Sequence, residues 1–596
     1  MGQRPHGTPD AAPPGKLHNG SSMVPVSCRF VYRRTWMPEM KDLWKGGKMS
    51  KIETIGNKKV MTVKQSPFIM LAGEVHNSDA SSPAYMEHIW ELADSMGMNT
   101  LLLPVTWEMV EPEEGKFDFS VPGALIDQAR EKGMHIVFLW FGSWKNAECM
   151  YAPGWVKQDL KRFPRAQIEK GNNKAGRQVS AQIPVKILYT TLSYLCEETA
   201  KADAKAFAEF MGFLKAYDEK EQTVLAVQVE NETGLLGAAR EVSDAADAVF
   251  ASEVPSGLIR YLKDHTDTMT KEIRDAVLGG KESGSWAEVF GTAAEELFSA
   301  FHVAKFVEIV ASAGKAVYNL PMAVNCWLDK GGAPGTYPTG GPVSKVHEVW
   351  DYCAPSIDVY CPDIYVPQFK EVCDEFTRRG NPLFIPETAT HSYCAPRLLY
   401  TVGHYHAMCY SPFGFDDIGK PFSAIQGFLF GVDVTDPALK TPQKLEEFQA
   451  VGKMVRDMMP MLADAYGSSS LQAVSAETDP PVGDPGGSPF LAKQPSMDFE
   501  TFRVTVSFKS PLNPRSDGAC LCLKSDDFEC YIIGNACGLS FQSLIPGKPN
   551  LDYLLVEEGS FEKGQWKPGR RLNGDETASL SLSEPRTLRV RFFVYE

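Results

Sequence analysis

Val224-Leu225-Ala226-Val227-Gln228-Val229-Glu230-Asn231-Glu232 is an apolar, β-branched run that ends abruptly in polar residues. A run of this length and kind is a strand buried on both faces, and such strands belong to parallel sheets. Working outward, similar runs recur at Phe68–Val75, Asn99–Val105, His135–Phe141, Met322–Trp327, Ile357–Tyr360 (running on into Cys361–Tyr365), Leu383–Pro386 and Ala407–Phe413. Helical stretches lie between them, among them Tyr85–Met96, Ala124–Lys132, Ala202–Tyr217, Thr292–Ala313 and Phe369–Arg379. Gly97 and Gly133 stand just past two of these, where helices end. Eight strand-then-helix repeats predict an α/β fold, a (β/α)8 TIM barrel enlarged by helical insertions, the largest at Gly234–Leu320. A doubly wound open sheet is the alternative, but no Gly-rich phosphate loop follows the first strand.

The spacing predicts a catalytic barrel over residues 49–465, a linker over 466–495 and a C-terminal all-β, sandwich-like domain over 496–596. The linker reading rests on the Pro, Gly, Asp and Ser residues of Ser475–Ser488. Beyond it, Thr501–Phe508, Ala519–Leu523, Cys530–Ile533, Tyr553–Glu557 and Leu588–Phe593 read as strands. Residues 1–48 carry no sustained period and read as a disordered leader or as a mis-assigned start. Lys45-Gly46-Gly47-Lys48-Met49 can be encoded by a ribosome-binding sequence read through in frame, which would make Met49 the natural start.

A formal net charge of −15 argues against nucleic acid or an anionic membrane as partner, and an uncharged substrate fits it. The thirteen Cys are scattered without metal-site spacing, and Cys520 and Cys522 share one face of a strand. They are expected to be buried free thiols in a reducing compartment, so the chain is placed in the cytoplasm. No apolar run approaches the roughly 20 residues of a membrane span. No cofactor or metal is expected, and a homo-oligomer stays open.

A barrel of this kind carries its chemistry at the C-terminal ends of the strands. The fourth strand delivers Asn231-Glu232 and the seventh delivers Glu387. Two carboxylates facing each other across the barrel mouth can cleave a glycosidic bond, one held protonated and the other ionised. Alternation puts Glu230 and Glu232 on one face, so periodicity alone does not choose between them. Asp363 and Asp416 are further strand-end carboxylates that compete for either role.

Gln228-Val229-Glu230-Asn231-Glu232 resembles the acid/base motif of glycoside hydrolase family 35, the β-galactosidase family of the Asn-Glu clan. Ala72-Gly73-Glu74-Val75-His76, Trp107 with Glu111-Pro112 and Gly115–Phe119, Phe141-Gly142 with Ala147-Glu148, and Ser411–Gly414 resemble further stretches of that family in order. Glu558–Phe561, Gly564–Trp566 and Gly569–Glu576 look like the small β domain of one bacterial branch. The pattern is broken at Pro104 and Thr233, where the family has Tyr, and at Cys149, where it has Trp.

The resemblance implies a retaining, exo-acting β-galactosidase with Glu232 as acid/base and Glu387 as nucleophile. It implies Asn231, Ala147 and Glu148 as sugar contacts. Asn146, Trp144 and Trp327 are candidates for lining the pocket, Tyr365 for holding the nucleophile ionised, and His76 for orienting a carboxylate. His391 reads as a rim residue, and Arg570, Arg571, Asp575 and Glu576 as an ion-paired turn. The alternatives are a transglycosylase, a glycosidase of other sugar specificity such as glucose or fucose, and a catalytically silent sugar-binding protein.

Overall fold

The computed structural model describes residues 49–178, 186–421, 441–477, 494–508, 515 and 517–596. The leader and start-site readings of residues 1–48 lie outside them, as does most of the segment read as a linker.

The eight expected strands all form, each shorter than or equal to its apolar run. They are β4 (Met70–Glu74), β5 (Thr100–Thr106), β6 (His135–Phe141), β9 (Val224–Val229), β10 (Met322–Trp327), β11 (Val359–Asp363), β12 (Phe384–Ile385) and β13 (Cys409–Tyr410). All pairings between them are parallel, in the order β11-β10-β9-β6-β5-β4-β13-β12. The ring closes beyond β11, where Ile364 N–H donates to Glu387 O at 2.9 Å and Ile364 bridges Thr388. The fold is therefore the TIM barrel expected. Helices follow the strands in turn: Pro83–Ser95, Ser120–Lys132, Glu197–Asp218, Ala294–Val317, His347–Cys353, Phe369–Thr377, Cys394–Tyr400 and Leu445–Ala465.

Alternation along the strands builds two cores. Ala72, Leu102, Val137, Leu139, Leu225, Ala323, Cys361 and Phe384 fill the barrel. Leu101, Leu103, Ile136, Phe138, Val227 and Val324 face the helices. Three antiparallel strands that the sequence reading missed, β1 (Lys51–Ile55), β2 (Lys58–Val63) and β3 (Ser66–Phe68), add Met61 and Val63 to the barrel interior. Ser50 Oγ donates to Leu225 O beside them. That sheet seals the end opposite the strand C-termini and leaves one open mouth.

One helical segment, Trp286–Val317, is apolar and long enough to cross a membrane, against the expectation that none would be. It packs on Glu197–Asp218, and 67% of its most apolar window is buried inside the protein. A helix apolar nearly all round is what a core position requires. Among the described residues the twelve cysteines are free, and all but Cys196 are buried.

After β13 the chain makes a β-sandwich. One sheet runs β14 (Leu471–Ser475), β17 (Ala519–Asp526), β18 (Glu529–Asn535), β23 (Arg586–Tyr595), β20 (Asn550–Glu562) and β21 (Gln565–Leu572); the other runs β15 (Ser496–Asp498), β16 (Phe502–Ser507), β19 (Cys537–Ser543) and β22 (Leu580–Leu582). Cys520 and Cys522 face the sandwich core, whereas Leu521 and Leu523 face the barrel helices. Leu471–Ser475 lies inside the segment read as linker, yet it pairs along its whole length with β17. A short hairpin, β7 (Ala175–Gln178) and β8 (Lys186–Tyr189), completes the strands. In the expected ion-paired turn, Arg570 meets Glu558 and Glu576.

Barrel and sandwich lie in one compact unit, Lys48–Glu596. Arg397, 1% exposed, donates to both carboxyl oxygens of Glu477 just past β14, at 2.5 and 3.0 Å, and its guanidinium lies 4.2 Å from the Phe369 ring centre. His391 accepts from the Tyr393 N–H and contacts Arg397, fully buried, so it is a core residue and not a rim one. Removing one member of a buried ion pair strands the other without water. Arg397→Met is expected to destabilise the fold by about 3–5 kcal/mol, read as a lower denaturant midpoint, whereas exposed Arg503→Met on β16 should leave that midpoint nearly unchanged.

Candidate active site

The open mouth gathers carboxylates from four strands. Oxygens of Glu232, Asp363 and Glu387 lie within 4.8 Å of one another, and all three residues are buried. Glu74, the last residue of β4, is close enough for its charge to act on Glu387 and Glu232. One cation, Lys145 Nζ, stands among these four carboxylates.

The turn after β9 decides which Glu reaches the mouth. Glu230 and Glu232 both have positive φ, 62° and 46°, so strand alternation ends at Val229. The expectation that the two share a face is therefore wrong. Glu230 turns behind the strand layer, where its Oε2 accepts from Trp144 N–H at 2.8 Å. Asp203 hydrogen-bonds it from the helix Glu197–Asp218, and burial, then Asp203, raises the Glu230 carboxyl well above the ordinary range. Two carboxyls sharing a proton in a dry site behave in this way. Glu232 turns toward the lumen, its N–H held by Asn325 Oδ1 at 3.0 Å and its carbonyl by Ala147 N–H at 3.1 Å. Gly234 follows at φ 130°, and a Cβ there would sit 2.5 Å from Pro338 O, so only glycine fits.

Glu387 receives Tyr365 Oη at 2.7 Å and the amides of Asn231 and Asn325 at 3.5 Å each. Asn325, the β10 residue that also holds Glu232, was not singled out from the sequence. It further donates to Asp363 Oδ2 at 2.8 Å. Asp363 Oδ1 is buried without a hydrogen-bond partner among the described residues. Burial, then Glu387 and Glu232, raises the Asp363 carboxyl well above the ordinary range. An uncharged carboxyl is the physical answer to crowded acids in low dielectric.

The third-strand loop forms another wall. Asp203 accepts from Trp140 Nε1 and Ser143 Oγ, at 2.8 and 2.6 Å, and so pins the loop from behind. Gly142 makes that approach possible, since a Cβ there would lie 2.5 Å from Trp140 Nε1. Trp144 is fully buried, bonded to Gly234 O and edge-on to Phe306, so it supports the wall instead of lining the pocket. Asn146 is exposed, with its N–H 3.4 Å from Asn231 Oδ1. Ala147 is buried, and Glu148 is half-buried, its carboxyl pushed up to about 7 by burial. Lys145 Nζ donates to Asn231 Oδ1 at 3.1 Å.

Trp327 ends β10, part-exposed and paired in register with Asp363. His76 lies 3.2 Å from Asp417 and 3.6 Å from Asp416, so Asp416 is engaged at the rim, apart from the Glu232–Asp363–Glu387 group. Trp107 and Glu111, two residues of the family-like stretch, bond each other at 2.9 Å, and Glu111 also caps Gly115 N–H; they shape the second loop.

Residues 60–170 match the model of glycosyl hydrolases family 35, and residues 450–582 match a domain of unknown function, DUF5597. Each covers less than half of the chain. No curated protein matches it. Among solved structures, the β-galactosidase of Bacillus circulans sp. alkalophilus is similar at 12% identity and a TM-score of 0.42, over 66% of this chain and 57% of that one. The exo-β-1,4-mannosidase Op5Man5 of Opitutaceae bacterium strain TAV5 is similar at 14% and 0.36, over 65% and 60%. A family 39 glycoside hydrolase of Bacteroides cellulosilyticus WH2 is similar at 12% and 0.38, over 89% and 84%. The chain thus spans less than two thirds of the first two. The family 35 match covers the first three barrel strands.

Proposed function

We propose that the protein is a retaining, exo-acting glycoside hydrolase that releases terminal β-linked galactose through a glycosyl-enzyme intermediate. The observation that carries this reading is the Glu232–Glu387 pair, with carboxyl oxygens within 4.8 Å at the barrel mouth. Retention needs carboxyls about 5–5.5 Å apart, and inversion needs room for a water, about 6.5–9.5 Å. Glu387 is the nucleophile in this reading, because three hydrogen-bond donors converge on its carboxyl and hold it in place at the mouth. Glu232 protonates the leaving oxygen and then activates water as base. Asn231, one of the donors to Glu387, takes the sugar 2-hydroxyl. Galactose as the sugar rests on the family 35 match alone.

The test is hydrolysis of nitrophenyl β-galactoside, with the first-formed anomer read by NMR. Release of β-galactose supports the reading; no turnover of any nitrophenyl glycoside, or first release of the α-anomer, overturns it. Glu148 adds a pH signature. It ionises near 7, and an ionised carboxylate accepts stronger hydrogen bonds from hydroxyls than a protonated one. KM for an uncharged galactoside should therefore fall as pH rises through neutrality, and Glu148→Gln should flatten that dependence.

A further inference from the structure

Lys145 and Glu74 take no part in the displacement, yet both are buried at its centre, 5% and 0% exposed. An ammonium carries three N–H donors. Among the described residues Lys145 fills one, on Asn231, and its Nζ also stands 5.0 Å from the Phe141 ring centre and 6.0 Å from that of Phe413. The other two donors have no hydrogen-bond partner among the described residues. Neither carboxyl oxygen of Glu74 has a hydrogen-bond partner among the described residues. Buried polar groups are almost always satisfied, so orphans grouped in one cavity mark where a ligand belongs. Burial works against the Lys145 charge, but Glu387, Glu232, Glu74 and Asp363 outweigh it and keep the ammonium charged. Burial, then Glu387, raises the Glu74 carboxyl, which can then donate as well as accept. A cationic donor beside such a carboxyl matches a hydroxyl pair, since each hydroxyl both gives and takes a hydrogen bond.

The order around the mouth fixes which hydroxyls. Asn231 stands at the 2-hydroxyl in the reading above, on which this inference rests. Lys145 is bonded to Asn231 and so stands beside it at the mouth. Glu74 ends β4, beyond β5 in the barrel order, and is close enough to Lys145 for the ammonium's charge to act on it. We propose that Lys145 and Glu74 are the specificity-determining residues of the sugar site, Lys145 binding the 3-hydroxyl and Glu74 the 4-hydroxyl of the sugar attacked at C1.

The test measures kcat/KM for nitrophenyl β-galactoside and its 3-deoxy and 4-deoxy analogues with the wild type, Lys145→Met and Glu74→Gln. A site built to bond a hydroxyl rejects an analogue lacking it, by on the order of 10²-fold or more. Lys145→Met is expected to lose about 10²-fold on the parent and little more on the 3-deoxy analogue. Glu74→Gln should show the same pattern with the 4-deoxy analogue. Equal losses on parent and deoxy substrates would overturn this inference and leave the hydrolase reading standing. No turnover by the wild type would overturn both. Should Lys145→Met fail to fold, the isosteric Glu74→Gln decides the matter on the 4-deoxy substrate.

Discussion

Glu387→Ala is expected to lower hydrolysis of nitrophenyl β-galactoside by at least ~10⁴-fold with the fold intact, because it removes the atom that attacks C1. The carboxylate does two things that no neighbour repeats. It forms the covalent bond, and its charge stabilises the oxocarbenium-like transition state. Asp363, the nearest substitute, is held well above the ordinary carboxylate range by burial and by Glu387 itself. Removing Glu387 relieves part of that shift but leaves burial, so Asp363 stays a poor nucleophile. A small anion offers the decisive control. Azide can enter the space vacated by the carboxylate and attack from the same face, giving a glycosyl azide of inverted configuration. Rescue by azide with that product supports the assignment. A variant within tenfold of wild type would place the nucleophile elsewhere, with Asp363 the first residue to examine. Tyr365→Phe should cost far less, since it removes one 2.7 Å hydrogen bond and not the reacting group.

The barrel was legible because its strands are buried on both faces. Val224–Val229 and His135–Phe141 carry no polar alternation, and each is closed by residues that cannot continue it. Sandwich strands were harder to see. Gln565–Leu572 forms all of β21 while burying little beyond Leu572 and part of Trp566, and its composition is that of a loop. Leu471–Ser475 was hidden between turn-forming residues on either side. At the site, the paired Glu232 and Glu387 followed from their strand ends. What stayed hidden depended on backbone turns and on distant partners. Trp144 sits in the loop where a pocket residue was expected, but Glu230 and Gly234 draw it into the core. Lys145 reads in sequence as an ordinary surface lysine, and only the fold brings it among four acids. Asn325 looks like one polar interruption in a strand until its contacts with Glu232, Asp363 and Glu387 are seen together.

Glu232→Gln and Glu230→Gln separate two residues that strand periodicity could not. Glu232 faces the lumen within reach of Glu387, so its amide variant keeps the shape and loses the proton. General acid help is worth about 10²–10⁴-fold when the leaving group needs it. Glu232→Gln should therefore lose that factor on a disaccharide and much less on a dinitrophenyl galactoside, whose phenolate leaves unaided. With the activated substrate the glycosyl-enzyme should accumulate as a burst, because the same residue serves as base in its hydrolysis. Glu230 lies behind the wall, sharing a proton with Asp203. Its amide variant should show no leaving-group dependence. Its effect belongs to stability and to the placing of the third-strand loop through Trp144 N–H. The sign follows from the raised carboxyl. A folded state that keeps a proton the unfolded state has released loses stability as pH rises above the ordinary Glu range. Glu230→Gln should flatten that loss in a pH series of denaturant midpoints, whereas Glu232→Gln acts on the rate. A leaving-group dependence appearing in Glu230→Gln instead would move the acid/base to that residue and reverse the roles given to the two sides of the β9 turn.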